Sequence, residues 1–268
     1  MANVGRDRPA TFKALGRRAV PETIDIDGQT ATFVELYKHD SWAATARYTL
    51  ADGDAIICKF NRRQSLLGLP MGWLGRTLAR RERHALDALA GVPGIPETFA
   101  RVRVDGELWR NAIARRFVAG HPLQSGERFD AKFLMDLRIL LEALHSRGIA
   151  FVDLHKRENI LVGDDGRPHL VDFQIHFDGR SLPWRWVPGS RLLFRVLAES
   201  DRYHLGKHAV KHGGASAPPR PVWIRLHRMI AVPFRELRRK LLVLVGIRTG
   251  KGRVESEAFV EDGLRRAA

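Results

Sequence analysis

The chain has 268 residues, 44% hydrophobic and 28% charged, with 45 lysines and arginines against 30 acidic residues and a formal net charge of +15. This balance excludes a disordered tail and a collagen-like repeat, and the length suffices for a real core in one two-lobed domain or two small ones. The single cysteine, Cys58, excludes an internal disulfide framework and suits a reducing compartment.

Residues 1–20 read as a loose basic arm. From Ile24 to Phe60 the pattern is strand-like: Ile24–Ile26, Thr32–Tyr37, Ala46–Leu50 and Ala55–Phe60, with turns at Asp27-Gly28 and Ala51–Asp54. β-branched and aromatic runs parted by Asp-Gly turns are hairpin signals. Residues 62–76 are rich in Gly and Leu and read as a loop. A helix follows from about Arg76 to Ala90, with Leu78, Ala85, Leu86 and Leu89 at helical spacing, and Gly91 to Pro96 end it. Phe99–Val104 and Leu108–Val118 read as strands around Asp105-Gly106. The stripe Phe133, Leu134, Leu137, Leu140, Leu141 and Leu144 predicts a helix over 131–147, stopped by Gly148. Two short strands, Ile160–Val162 and His169–Val171, flank the turn Gly163–Gly166, and helices follow beyond residue 181, broken by a linker at His212–Pro221.

Strands first and helices later predict an α+β protein. The start, Met1 to Gly16, has no apolar segment of the secretory kind, and the longest apolar run, Leu241 to Ile247, is far too short to span a bilayer. The charge is uneven. Residues 128–180 carry a net −1, whereas 59–127 carry +6, 181–219 carry +4 and 220–253 carry +9. Such flanks imply a polyanionic partner.

The neutral stretch holds the densest chemical signal. It runs Phe151-Val152-Asp153-Leu154-His155-Lys156-Arg157-Glu158-Asn159-Ile160-Leu161-Val162, then Leu170-Val171-Asp172-Phe173-Gln174. Two carboxylates and a carboxamide on loops between short apolar strands form a phosphoryl-transfer kit. One Asp handles an acceptor hydroxyl, while Asn and a second Asp hold Mg²⁺ on nucleotide phosphates. These residues resemble the catalytic loop and the metal-binding Asp-Phe-Gly segment of the protein-kinase-like superfamily, over about residues 30–180. Ile56-Ile57-Cys58-Lys59 is similar to the third-strand lysine motif, and Glu82 is placed as that lysine's ion-pair partner. Arg116-Phe117-Val118-Ala119-Gly120-His121-Pro122-Leu123 resembles the inter-lobe hinge, whose backbone meets adenine.

The resemblance implies a two-lobed kinase-like fold: a first lobe over 21–115, a second over 116–212, and a basic amphipathic extension over 213–268. It also implies ATP and Mg²⁺ as cofactors. Asp153 would be catalytic, Asn159 and Asp172 would bind metal, and Lys59, Glu82, Arg116 and Val118 would meet the nucleotide. Within the superfamily, Asp153-Leu154-His155 resembles the atypical bacterial lipopolysaccharide (Kdo and heptose) kinases and the RIO-like serine/threonine kinases, and Glu199–His208 is similar to a helical segment of the former.

Four positions depart from the pattern. No Arg precedes Asp153, so activation-loop phosphorylation that docks there is not expected. Asn159 lies six positions after Asp153, where the motif has five. Gln174 replaces the glycine of the metal segment. The nucleotide loop, expected near His39–Ala44, has no glycine to cradle phosphate.

His204, His208 and His212 have the spacing of a metal-binding helix face, but no carboxylate or thiolate completes a site, and the stretch reads as a solvated basic face. Val222–Val245 interleaves Trp, Leu and Val with Arg, and Leu66–Leu74 is an apolar loop bordered by Arg62, Arg63 and Arg76. Both patterns suit an anionic membrane surface, at about 1 kcal/mol per basic residue. The expected activity is therefore a cytoplasmic phosphotransferase, peripheral on a bacterial inner membrane, acting on a lipopolysaccharide precursor or a protein Ser/Thr. A pseudokinase scaffold is the alternative. A nucleic-acid binder rests on charge alone, with no motif behind it.

Overall fold

A computed structural model describes residues 10–66, 68–181 and 186–213. The expected amphipathic extension lies outside the described residues, save for Gly213. The chain divides into two compact units, one of residues 1–120 with 169–175, the other of residues 121–168 with 176–268.

The first unit is built on eight strands: β1 Thr23–Ile26, β2 Gln29–His39, β3 Ala43–Leu50, β4 Ala55–Asn61, β5 Thr98–Phe99, β6 Val102–Val104, β7 Glu107–Leu108 and β8 Ala112–Arg116. They form one sheet in the order β5-β8-β4-β3-β2-β1-β6-β7, and the neighbours are antiparallel. The pattern of period two sorts each strand. In β4, Ile56, Cys58 and Phe60 are fully buried and join Ala46, Tyr48 and Ala114 in one core. Lys59 falls on the opposite face, in register with Thr45 and Ile113.

That opposite face receives helix α1, Gly72–Ala88. Its buried residues Gly75, Ala79, Glu82 and Leu86 recur at helical spacing, so Glu82 stands mid-stripe between small and apolar neighbours. The helix starts earlier than the expected Arg76. A Cβ on Gly75 would stand 2.1 Å from the Arg62 carbonyl oxygen, so the glycine lets the first turn close onto β4's exit, and packing overrides the low helix propensity of Gly72 and Gly75.

The expected loose arm also differs. Ala10–Phe12 form a 3₁₀ turn, and Ala14 and Leu15 are buried. The Ala14 amide donates to the Asp40 carbonyl, and the Ala14 carbonyl accepts from Arg63 and Gln64. Two apolar side chains with satisfied backbone groups thus tie residues 10–16 to the sheet.

The remaining strands are β9 Gly120–Pro122, β10 Ile149–Ala150, β11 Ile160–Gly163, β12 Pro168–Leu170 and β13 Phe177–Asp178, and the second unit adds helices α2 Ala131–Ser146 and α3 Ser190–Gly213. Asp130 caps α2, accepting from the Phe133 amide at 2.8 Å. Phe133, Leu137, Leu140, Leu141 and Leu144 form the predicted buried stripe. Gly148 follows the helix at φ +80°. β10 pairs with β13, and α3 packs on α2, β10 and β13. Among the described residues no helix is long and apolar enough to cross a membrane.

Candidate active site

In the first unit, Lys59 Nζ donates to both Glu82 carboxylate oxygens, at 3.0 and 3.1 Å, and to Asp172 Oδ1 at 2.9 Å. Residues 59, 82 and 172 thus meet from a strand, a helix and a loop. Burial pulls the Lys59 pKa down, but Asp172 and Glu82 outweigh it and leave it raised, so the ammonium stays charged. Burial raises the Glu82 pKa despite Lys59 beside it. Arg115, one position before the expected hinge, stands in the same field: burial lowers its pKa, and Glu82, Asp172 and Tyr37 oppose that. Nothing in the sequence singled Arg115 out, because its proximity to Glu82 depends on how β8 lies against α1.

Asp172 sits at φ +65°, a left-handed conformation uncommon outside glycine. On one side the Leu170 amide donates to the Gly94 carbonyl, and Phe173 is fully buried. Gln174, in the glycine's place, bonds the Asn61 side chain, and its carbonyl accepts from Arg81 Nε at 3.3 Å. Its side chain therefore ties the segment to the end of β4.

Two expected nucleotide positions fall at the end of β8 and just after it. Arg116 ends β8 with its guanidinium on Asp54 and Glu97, and its amide donates to the Glu97 carbonyl. These bonds hold it at the end of β8. Val118 lies half-buried in the segment between β8 and β9. The glycine-free loop is a tight turn between β2 and β3. The Asp40 carboxylate accepts from the Trp42 and Ala43 amides, at 2.7 and 3.0 Å, and pairs with Lys38. Those two amides are spoken for.

In the second unit Asp153 is buried, with Lys156 Nζ at 2.5 Å and His155 Nδ1 at 3.4 Å from its carboxylate. Asn159 Nδ2 donates to the Asp153 carbonyl at 3.2 Å. The one-residue-longer loop is absorbed by a 3₁₀ turn at Arg157–Asn159, so Asn159 still folds back on Asp153. With its nitrogen committed to the loop, the Asn159 carboxamide presents an oxygen as its acceptor.

Helix α3 holds this loop from below. Asp201, fully buried, accepts from the Phe151 and Val152 amides at 2.7 and 2.8 Å and from His145 Nε2 at 3.1 Å. Val152 has φ +69°, a real outlier for a β-branched residue, sustained by these two bonds. On the other side of Asp153, His208 Nε2 donates to the Leu154 carbonyl at 2.8 Å. His212 Nδ1 donates to the Glu127 carbonyl at 2.7 Å. The expected solvated histidine face is thus wrong for His208 and His212, which are buried clamps, and no metal-holding group of three exists among the described residues. Asp201 and His208 were missed as site residues. The available signal was a carboxylate at the spacing of a helix's inner stripe, with Ala198, His208 and His212.

A carbonyl can only accept, so His208 carries its proton on Nε2, and its buried Nδ1 has no hydrogen-bond partner. Burial, then His212, Lys211 and Lys207, bring its pKa to about 4 against the Leu154 bond. The unfolded chain therefore binds more protons between about pH 6.5 and 4, and stability falls on acidification through that window, by about 3 kcal/mol from this group. Urea unfolding across the window should show His208→Gln with a flatter pH dependence by up to one proton; an unchanged slope refutes the assignment.

No family model matches the sequence, and no curated protein matches it. Solved structures do. Over 70% of this chain, the Rio2 kinase of Chaetomium thermophilum in complex with ADP, Mg²⁺ and phosphoaspartate superposes with a TM-score of 0.51 at 18% identity. The same kinase in a second structure covers 67% at TM-score 0.49 and 20% identity. The fold is protein-kinase-like. The chain spans 57% of the length of that Rio2 chain.

Proposed function

We propose that the protein is an ATP- and Mg²⁺-dependent phosphotransferase that moves the γ-phosphate to a hydroxyl. The observation that carries this is Lys59 held charged between Glu82 and Asp172, which no structural role of a lone strand lysine requires. Its ammonium neutralises nucleotide phosphates, and Glu82 aims it. The Asn159 carboxamide oxygen and the Asp172 carboxylate are hard oxygen donors that suit Mg²⁺. Bound Mg²⁺ would screen the charge on the transferring phosphoryl group. Asp153 orients the acceptor hydroxyl and takes its proton.

Thermal unfolding with Mg·ATP tests the reading. A hundredfold excess over Kd adds about 2.7 kcal/mol to the native protein, and Lys59→Met removes most of that gain. A native protein indifferent to Mg·ATP sinks it. One observation favours a second reading, a scaffold without turnover: Asp40 already occupies the amides of the turn where phosphate would be cradled.

The acceptor proposed is a hydroxyl of an anionic, lipid-linked sugar of the lipopolysaccharide-precursor kind, at the membrane surface, ahead of a protein Ser/Thr. The basic flanks support it, since they carry the whole net charge around a near-neutral 128–180. Labelled ATP offered with membrane extract and with soluble extract should mark the membrane fraction.

A further inference from the structure

Apart from the kinase-like site, the second unit has a cavity of about 680 Å³ whose lining, among the described residues, holds three arginines and two aromatic rings and no carboxylate. Its floor forms where the Gly179 amide donates to the Gly148 carbonyl at 3.0 Å. Arg180 lies across Gly148; a Cβ there would stand 2.7–2.9 Å from the Arg180 Cγ, Cδ and Nε. The Arg180 guanidinium donates to the Ser146 carbonyl at 2.5 Å, which holds the side chain while using one of its five N–H groups.

The facing wall is the first turns of α3. Arg191 and Arg195 are four residues apart, hence on one side of the helix, with Phe194 beside them. Neither Arg191 nor Arg195 has an ion-pair partner among the described residues. No acidic residue stands in that first turn, so the positive end of the helix dipole adds to the guanidinium charge. Trp186, 72% exposed, stands at the mouth.

Three guanidinium groups around one cavity make it electropositive, and an anion offsets that charge. Planar guanidinium forks match phosphate oxygens two at a time. The volume lies in the usual range for small-ligand sites, about 300–1,000 Å³, and a bare phosphate fills only part of it. Phe194 supplies a face for a ring or chain. We propose that this cavity binds a phosphate monoester carried on an aromatic or apolar body. The site is independent of the phosphotransferase reading.

Two probes test it on the full chain: phenyl phosphate by calorimetry, and sedimentation with phosphatidylcholine vesicles with and without phosphatidic acid. Phenyl phosphate should bind, about tenfold or more weaker in Arg191→Gln/Arg195→Gln, a loss typical of a lost charged contact. Arg180→Gln should weaken it as well, and Lys59→Met should not. The arginines at 191 and 195 are exposed, so the double variant should melt with the native protein. Vesicle binding that depends on both phosphatidic acid and Arg191/Arg195 makes a lipid headgroup the source. Vesicle binding indifferent to the double variant leaves a soluble phosphate ester as the ligand. If neither probe responds to Arg191 and Arg195, or if Lys59→Met abolishes phenyl phosphate binding, the proposal is overturned.

Discussion

Asp153→Asn lowers phosphoryl transfer by about 10²- to 10⁴-fold, the range a general base contributes, and leaves the fold unchanged. The two effects separate because the loop is held by backbone, not by this carboxylate. The Asp153 amide donates to the Phe151 carbonyl, and its own carbonyl accepts from the Lys156 amide and from Asn159 Nδ2. Asn keeps the side-chain volume and an oxygen for Lys156 but cannot take a proton. Single-turnover transfer from labelled ATP measures the loss, and far-UV circular dichroism checks the fold. Equal rates for native and variant protein would falsify the catalytic role. Because the proposal assigns the nucleotide phosphates to Lys59 and the acceptor proton to Asp153, Mg·ATP stabilisation should survive in Asp153→Asn and fail in Lys59→Met.

The second large effect is on stability. Asp201→Ala strips the acceptor from two backbone amides and from His145 in a fully buried place. Removing one partner of a buried charged network costs about 3–5 kcal/mol, because the groups left behind are neither paired nor hydrated. The strain at Val152, of order 1–3 kcal/mol, then loses the bonds that sustain it. Activity should fall with stability, since the amides concerned belong to the two residues before Asp153. Asp201→Asn keeps one carbonyl oxygen but turns an NH₂ toward an N–H donor, so it should land between native and Ala. Urea unfolding settles the matter: an Asp201→Ala loss below about 1 kcal/mol, the size of an ordinary substitution, contradicts the assigned network.

Much of the candidate site was legible because the proposed chemistry needs fixed residue types on fixed element types. Lys59 stands inside strand β4, Glu82 interrupts an apolar helical stripe, and Asp153, Asn159 and Asp172 lie on loops and a 3₁₀ turn between short apolar strands. The side-chain partners of Arg116 were not legible, because its motif position says nothing about Asp54 and Glu97, which reach it from other turns. His208 and His212 were misread because a four-residue spacing defines a face without saying what covers it. The burial of that face against the Asp153 loop and Glu127 turns basic-looking residues into buried hydrogen-bond donors.

By itself the sequence determined the α+β order, the hairpins, the α2 stripe and the kinase-like motifs. These rest on local periodicity and on chemistry confined to a few neighbouring residues. Only the tertiary structure decided that Gly72 begins a helix, that residues 10–16 join the sheet, that Asp201 and His208 grip the Asp153 loop, and that Arg180, Arg191 and Arg195 line one cavity. Each of those depends on contacts between residues far apart in the chain, where burial and hydrogen-bond satisfaction outweigh local preference.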